Sequence, residues 1–189
     1  MYMFRDSLPR VDGKVRFLHA IPDAPNVDIY ANGKLVYSNL PFGKITDYIS
    51  VAPGTYNVKI YKTGTMDKEL FSDSADITPN SIMSVAVTRQ NDQIGYFTID
   101  DSRIPESNPL LSFIRFIILS PTAPLLSLSL PNDIVLFNQV SYLGTNNYYP
   151  ISPGIYDFIV SSSDGNFNKY ISDVNLTKHA TSSILVEAT

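Results

Sequence analysis

The chain has no cysteine, which excludes disulfide staples, thiol nucleophiles and zinc–thiolate centres. Charge is also scarce: 17% of the 189 residues are charged and the net charge is −4. Without a basic excess to track a phosphate backbone, nucleic acid is not expected as a partner, and the acidic surplus is too small to define a cation sink. No apolar run approaches the ~20 residues that cross a bilayer. Residues Met1–Arg10 lack the basic patch and the apolar stretch of about 7–15 residues that mark a secretory signal. As written, the sequence predicts a soluble, unexported, cytoplasmic chain. It contains no Gly-x-Ser-x-Gly elbow, no Gly-rich phosphate loop, no dinucleotide fingerprint and no paired-histidine zinc motif. Neither a catalytic reaction nor a cofactor is expected.

What is present is a core and a repeat. Apolar residues make up 44% of the chain, enough for a folded interior. Val15-Arg16-Phe17 recurs as Ile114-Arg115-Phe116, and Pro22-Asp23-Ala24-Pro25 as Pro121-Thr122-Ala123-Pro124, both at an offset of 99. Ala52-Pro53-Gly54-Thr55-Tyr56 returns as Ser152-Pro153-Gly154-Ile155-Tyr156 at 100. Met83, Val85 and Val87 match Ile184, Val186 and Ala188 at 101, which aligns the last residue, Thr189, with Thr88. Ordered matches with a slowly drifting offset are what a duplication with single-residue loop insertions produces.

Each copy reads as short strands divided by turns. Val27 and Ile29 lead into Asn32-Gly33, a two-residue hairpin signal, and Leu35–Tyr37 return. Tyr56, Val58 and Ile60 alternate with Asn57, Lys59 and Tyr61, the period of a half-buried strand. Asn91-Asp92 is expected to turn the chain into a strand over Ile94–Ile99. No window of about 12 residues carries a helical stripe, and the 13 prolines are expected to fall between strands. The expected fold is all-β: two tandem immunoglobulin-like or transthyretin-like antiparallel β-sandwiches of six or seven strands. They span residues 11–101 and 112–189, joined by a Pro/Ser/Asn-rich linker over 102–111.

The copies differ instructively. The second has no counterpart to the Ile94–Ile99 strand, so one sheet edge needs cover. The expected occupants are Tyr2–Leu8 or another subunit, which would make a homodimer through that edge. The second copy is sparsely charged, with three basic and six acidic residues over 104–189, and its first strand, Phe113–Leu119, is apolar on both faces apart from Arg115. It is expected either at an interface, between the copies or in a dimer, or as a central strand buried on both sides.

With His19-Ala20-Ile21-Pro22-Asp23-Ala24-Pro25-Asn26-Val27-Asp28-Ile29-Tyr30 set out, the first copy resembles the bacterial domain-of-unknown-function family numbered 4397. Its signature is a His, a Pro-Asp-Ala-Pro turn and a Val-Asp-Val-Tyr-like strand. Asn32-Gly33-Lys34, Phe42-Gly43, Tyr48 and Pro53-Gly54-Thr55-Tyr56 fit the same pattern. The resemblance covers about residues 14–100, and 113–189 more weakly. It implies β-sandwich modules, often in tandem and often at the cell surface or envelope, with no established activity. The second copy departs from the signature, carrying Ile118, Thr122 and Ser127 in place of His19, Asp23 and Asp28.

Five residues stand out as binding candidates: His19, Asp23, Asp28, Tyr148 and Tyr149. His19 shares a strand face with Val15 and Phe17, and Ile118 at the matching position marks a site that accepts an apolar side chain. A buried neutral imidazole bonded to the Pro22–Pro25 turn is the structural reading; a ligand or general-base role is the functional one. Asp23, Asn26 and Asp28 cluster on a proline-framed loop, yet calcium prefers six to eight oxygens from more carboxylates, and such aspartates usually bond nearby amides. No metal is therefore expected. His179 sits in a polar turn, where a solvated histidine is expected. Tyr142, Tyr148, Tyr149, Phe167 and Tyr170 offer flat rings to a glycan or protein if they share one exposed face; otherwise they are ordinary strand residues. The reading that results is a non-catalytic structural or protein-interaction module. A carbohydrate- or peptide-binding accessory module is the alternative, and a hydrolase comes third.

Overall fold

The computed structural model describes residues 11–90, 93–102, 108–144 and 147–187, and every regular element among them is a strand. The chain divides into two compact units. One takes in the chain through His19 with Asp23–Val87 and Gln93–Ser102; the other takes in Arg103–Thr189 with Ala20–Pro22 and Thr88–Asp92.

The first repeat contains β1 (Gly13–His19), β2 (Val27–Ala31), β3 (Lys34–Leu40), β4 (Ile49–Val51), β5 (Gly54–Lys62), β6 (Glu69–Ile77), β7 (Ile82–Gln90) and β8 (Gln93–Asp100). They form two four-stranded sheets, ordered β4-β1-β7-β8 and β3-β2-β5-β6. The Asn32-Gly33 turn has φ of +49° and +75°, the pair of left-handed residues that a type I′ hairpin needs. After the turn at Pro53, Tyr56 folds its hydroxyl back to donate to Ala52 O at 2.8 Å. Tyr156 does the same to Ser152 O, also at 2.8 Å.

The second unit repeats the plan with β9 (Ser112–Ile118), β10 (Leu126–Ser129), β11 (Val135–Val140), β12 (Tyr149–Ile151), β13 (Gly154–Ser162), β14 (Asn168–Leu176) and β15 (Thr181–Val186). Its sheets are ordered β12-β9-β15 and β11-β10-β13-β14. One pair in each unit, β1–β7 and β9–β15, runs parallel, where the sequence pattern alone predicts antiparallel neighbours. Parallel neighbours need a long crossover, and here the excursion through the opposite sheet supplies it.

The register also revises the repeat. Lys14 lies beside Ile82, and Phe113 beside Thr181, so the last strand is offset by 99 rather than 101. Val85 answers to Ile184, Val87 to Val186, and Thr88 to Glu187. The two-residue error arises because a strand's inward pattern has period two, so a slip of two leaves every apolar residue facing inward.

Among the described residues β15 has no second neighbour where β7 has β8. The proposed fillers Tyr2–Leu8 lie outside the described residues, as do the Asn91-Asp92 turn, linker positions 103–107 and Ala188. All seven residues of β9 are buried. Its inward side chains Ile114, Phe116 and Ile118 join Leu128, Phe158 and Leu176 in one apolar core.

Candidate functional site

The proline-framed loop is a brace. Against β3, strand β2 pairs Val27 with Leu40 but Ile29 with Tyr37, so β3 carries an extra residue and bulges at Ser38-Asn39. Asn39 takes a left-handed φ of +56° there, and Asp28 secures it: Oδ1 accepts from Asn39 N at 2.7 Å. The same oxygen accepts from Thr63 Oγ1 at 3.1 Å, and Oδ2 accepts from Gly64 N at 3.0 Å. One carboxylate thus ties the bulge of one hairpin to the turn of the next. Burial pushes its pKa up, but the bonds from Asn39, Gly64 and Thr63 outweigh that and hold it below the usual aspartate value. The second unit has the same bulge, with Gln139 at φ +50°. Ser127 Oγ accepts from Gln139 N at 2.9 Å, retaining one of the three bonds.

His19 is fully buried, and its Nε2 donates to Pro25 O at 3.1 Å, spanning the turn. The ring meets Phe42 edge-on, with centroids 6.5 Å apart. Burial lowers its pKa, partly offset by hydrogen bonds to backbone carbonyls, so the neutral form prevails. Asn26 Nδ2 donates to Asn39 Oδ1 at 2.8 Å, joining the same brace. Asp23 is exposed at the turn. Among the described residues no three His, Asp or Glu side chains converge as a metal site.

Tyr148 and Tyr149 have different surroundings. Tyr148 lies beneath Arg115, whose guanidinium carbon is 4.8 Å from the ring centroid, a cation–π contact. Tyr149 is 40% exposed and meets Phe137 edge-on at 6.2 Å. Tyr170 is more exposed, and its hydroxyl donates to Asp157 Oδ2 at 2.8 Å. Tyr149 and Tyr170 belong to different sheets, Tyr142 is half-buried and Phe167 packs on the core, so the rings do not share one flat face.

Sequence reasoning gave no role to Arg16 and Arg115, although each is the charge inside the repeated apolar strand motif. Arg16 stacks over Tyr48 at 4.6 Å and donates through Nε to Ser84 Oγ at 2.7 Å. Arg115 donates likewise to Ser183 Oγ at 2.7 Å. In the first unit the buried Asp101 joins the group, accepting from Tyr48 at 2.6 Å and from Ser84 at 2.5 Å, with Arg16 at 3.7 Å. Burial, followed by the bond to Asp101, pushes the Tyr48 phenol up to about 12. A lone charge at the same place in both copies was the available signal.

The family model described as "Domain of unknown function (DUF4397)" matches residues 13–129. No curated protein matches the chain. Among solved structures, the Bacillus anthracis TIE protein is similar at 12% identity and a TM-score of 0.29, over 93% of this chain and 34% of that one. The chain therefore spans about a third of that structure's length. With more than half its residues matched, from β1 through β10, the chain belongs to the family of domains of unknown function numbered 4397.

Proposed function

We propose that the chain is a non-catalytic structural or protein-interaction module that recognises its partner through loops and sheet edges. The observation that carries this reading is the use made of the side chains best suited to chemistry. The imidazole of His19 and both oxygens of Asp28 are bonded to turns and a bulge, so they fix backbone rather than face a substrate. The β15 edge presents unpaired main-chain groups in the described residues, a geometry that adds a strand from another chain. A second copy is the partner proposed for it, in keeping with a module of the bacterial cell surface or envelope.

The solution mass tests this reading. Sedimentation equilibrium across a hundredfold concentration range is expected to show the 21.0 kDa chain associating to twice its mass. Lys in place of the inter-sheet residue Ile184, which packs on the core, is a poor probe because it would unfold the unit. Pro at the exposed Thr181 (β15), which removes one edge donor, is expected to weaken association. A strictly monomeric chain at every concentration would refute pairing of copies through this edge.

A further inference from the structure

We propose that the first repeat binds a small, uncharged, apolar molecule between its two sheets. A cavity of about 400 Å³ separates sheet β4-β1-β7-β8 from sheet β3-β2-β5-β6. Phe17, Val36, Val58, Met83 and Val85 form its walls, with Tyr96 from β8. Although these strands face inward, Val36, Val58, Met83 and Val85 are only half-buried, because the cavity opens to solvent. Ligand sites generally run from roughly 300 to 1,000 Å³, and protein interiors otherwise pack with few voids larger than a water.

The second repeat shows that the frame does not require this space. Register places Leu130 at the position of Ala31, Phe158 at Val58, Leu136 at Val36, Ile151 at Val51 and Val174 at Ala75. Each exchange adds carbon to the interior, and all five larger side chains belong to or pack on the apolar core of that unit. Met83 runs the other way, answering to Ser182. The first repeat therefore keeps small residues where its sibling shows that larger ones fit.

The walls define the ligand's chemistry. Among the described residues no buried side-chain nitrogen or oxygen lacks a hydrogen-bond partner. Tyr96 donates its hydroxyl to Ser74 O at 3.0 Å, and Asp76 accepts from Thr55 at 2.6 Å. Polar groups at the rim are thus engaged or, like Lys34, exposed. Water against these walls would find few partners, so an apolar guest that displaces it is favoured. The fitting guest is an aliphatic chain or one or two aromatic rings without charge.

The test uses N-phenyl-1-naphthylamine, an uncharged naphthylamine whose emission rises in apolar surroundings, with the full chain. Saturable binding of one probe per chain is expected, together with a rise in melting temperature at saturation. Val58→Phe and Ala31→Leu, which import the second repeat's side chains at register partners, are each expected to weaken binding at least tenfold while the circular-dichroism melt stays cooperative. Should Val58→Phe fail to fold, the smaller Ala31→Leu change decides. Non-saturable binding, no binding, or wild-type affinity in a folded Ala31→Leu chain would overturn the proposal.

Discussion

The two repeats share a frame and hold it in opposite ways. In the first, polar side chains do the bracing: Asp28 accepts three hydrogen bonds, His19 spans a turn, and Asp101 gathers Tyr48, Ser84 and Arg16. The interior between its sheets is left partly open. In the second, Ser127 keeps one bond of the three, Ile118 replaces the imidazole, Phe158 sits in the core and Leu130 packs on it. One sandwich relies on directional bonds around a space, the other on close packing. Both are workable, because packing tolerates exchange so long as volume is supplied, and a buried polar group is tolerated so long as it is bonded.

The sharpest way to break that contrast is to hollow the second repeat. Phe158→Val removes a fully buried ring that stacks on Tyr156 at 6.0 Å, and it is expected to cost about 3 kcal/mol. Urea unfolding followed by circular dichroism would measure it. Val58→Phe in the first repeat fills space instead, and is expected to leave stability unchanged or raise it by about 1 kcal/mol. Equal and small effects at both positions would mean that the interiors do not differ as described.

A smaller effect is expected from giving the first repeat its sibling's serine. Asp28→Ser preserves a bond to Asn39 N but loses those from Thr63 and Gly64, at about 1–2 kcal/mol for charge-assisted bonds in a partly buried place. The variant should also lose an acid dependence. Because the folded carboxyl titrates below its unfolded value of about 3.9, its contribution is complete above that pH. It disappears as pH falls through the lower, folded value. Urea midpoints at pH 6 and pH 3 should therefore differ less in Asp28→Ser than in the parent chain. An undiminished pH difference would show that Asp28 is not the brace.

Much of the frame was readable from residues, and the failures have physical causes. Asn32-Gly33, Pro53-Gly54 and the period-two runs marked strands and turns because they dictate local backbone geometry. Among the described residues β15 has β9 as its one neighbour, where β7 has both β1 and β8. The two-residue slip over β15 was invisible to pattern, since period two cannot distinguish it; only pairing with β9 does. The partners of Asp28 were out of reach because Asn39, Thr63 and Gly64, which donate to it, lie on other strands and turns. The Arg16–Tyr48 and Arg115–Tyr148 stacks were missed for the same reason, each joining residues about thirty positions apart. The cavity was hidden because Val58 and Ala31 are unremarkable strand residues alone, and become informative only beside Phe158 and Leu130.

The finest comparison concerns His19 and Ile118. Both are fully buried at the same place in the fold, so His19→Ile exchanges the imidazole's hydrogen bonds, Nε2 to Pro25 O among them, for apolar burial. The expected change near pH 7.5 is under about 1 kcal/mol. The informative quantity is its drift with pH. Burial lowers the folded pKa of His19, so as pH falls below about 6.5 the unfolded chain takes up a proton that the folded chain refuses. The parent should lose stability relative to the variant between pH 7.5 and 5.5, until the folded imidazole also titrates. His179 is present in both proteins and cancels from the difference. If the two chains keep a constant gap across that interval, the imidazole is not held neutral by burial. Its bond to the Pro25 carbonyl would then be incidental to the first repeat rather than one of its braces.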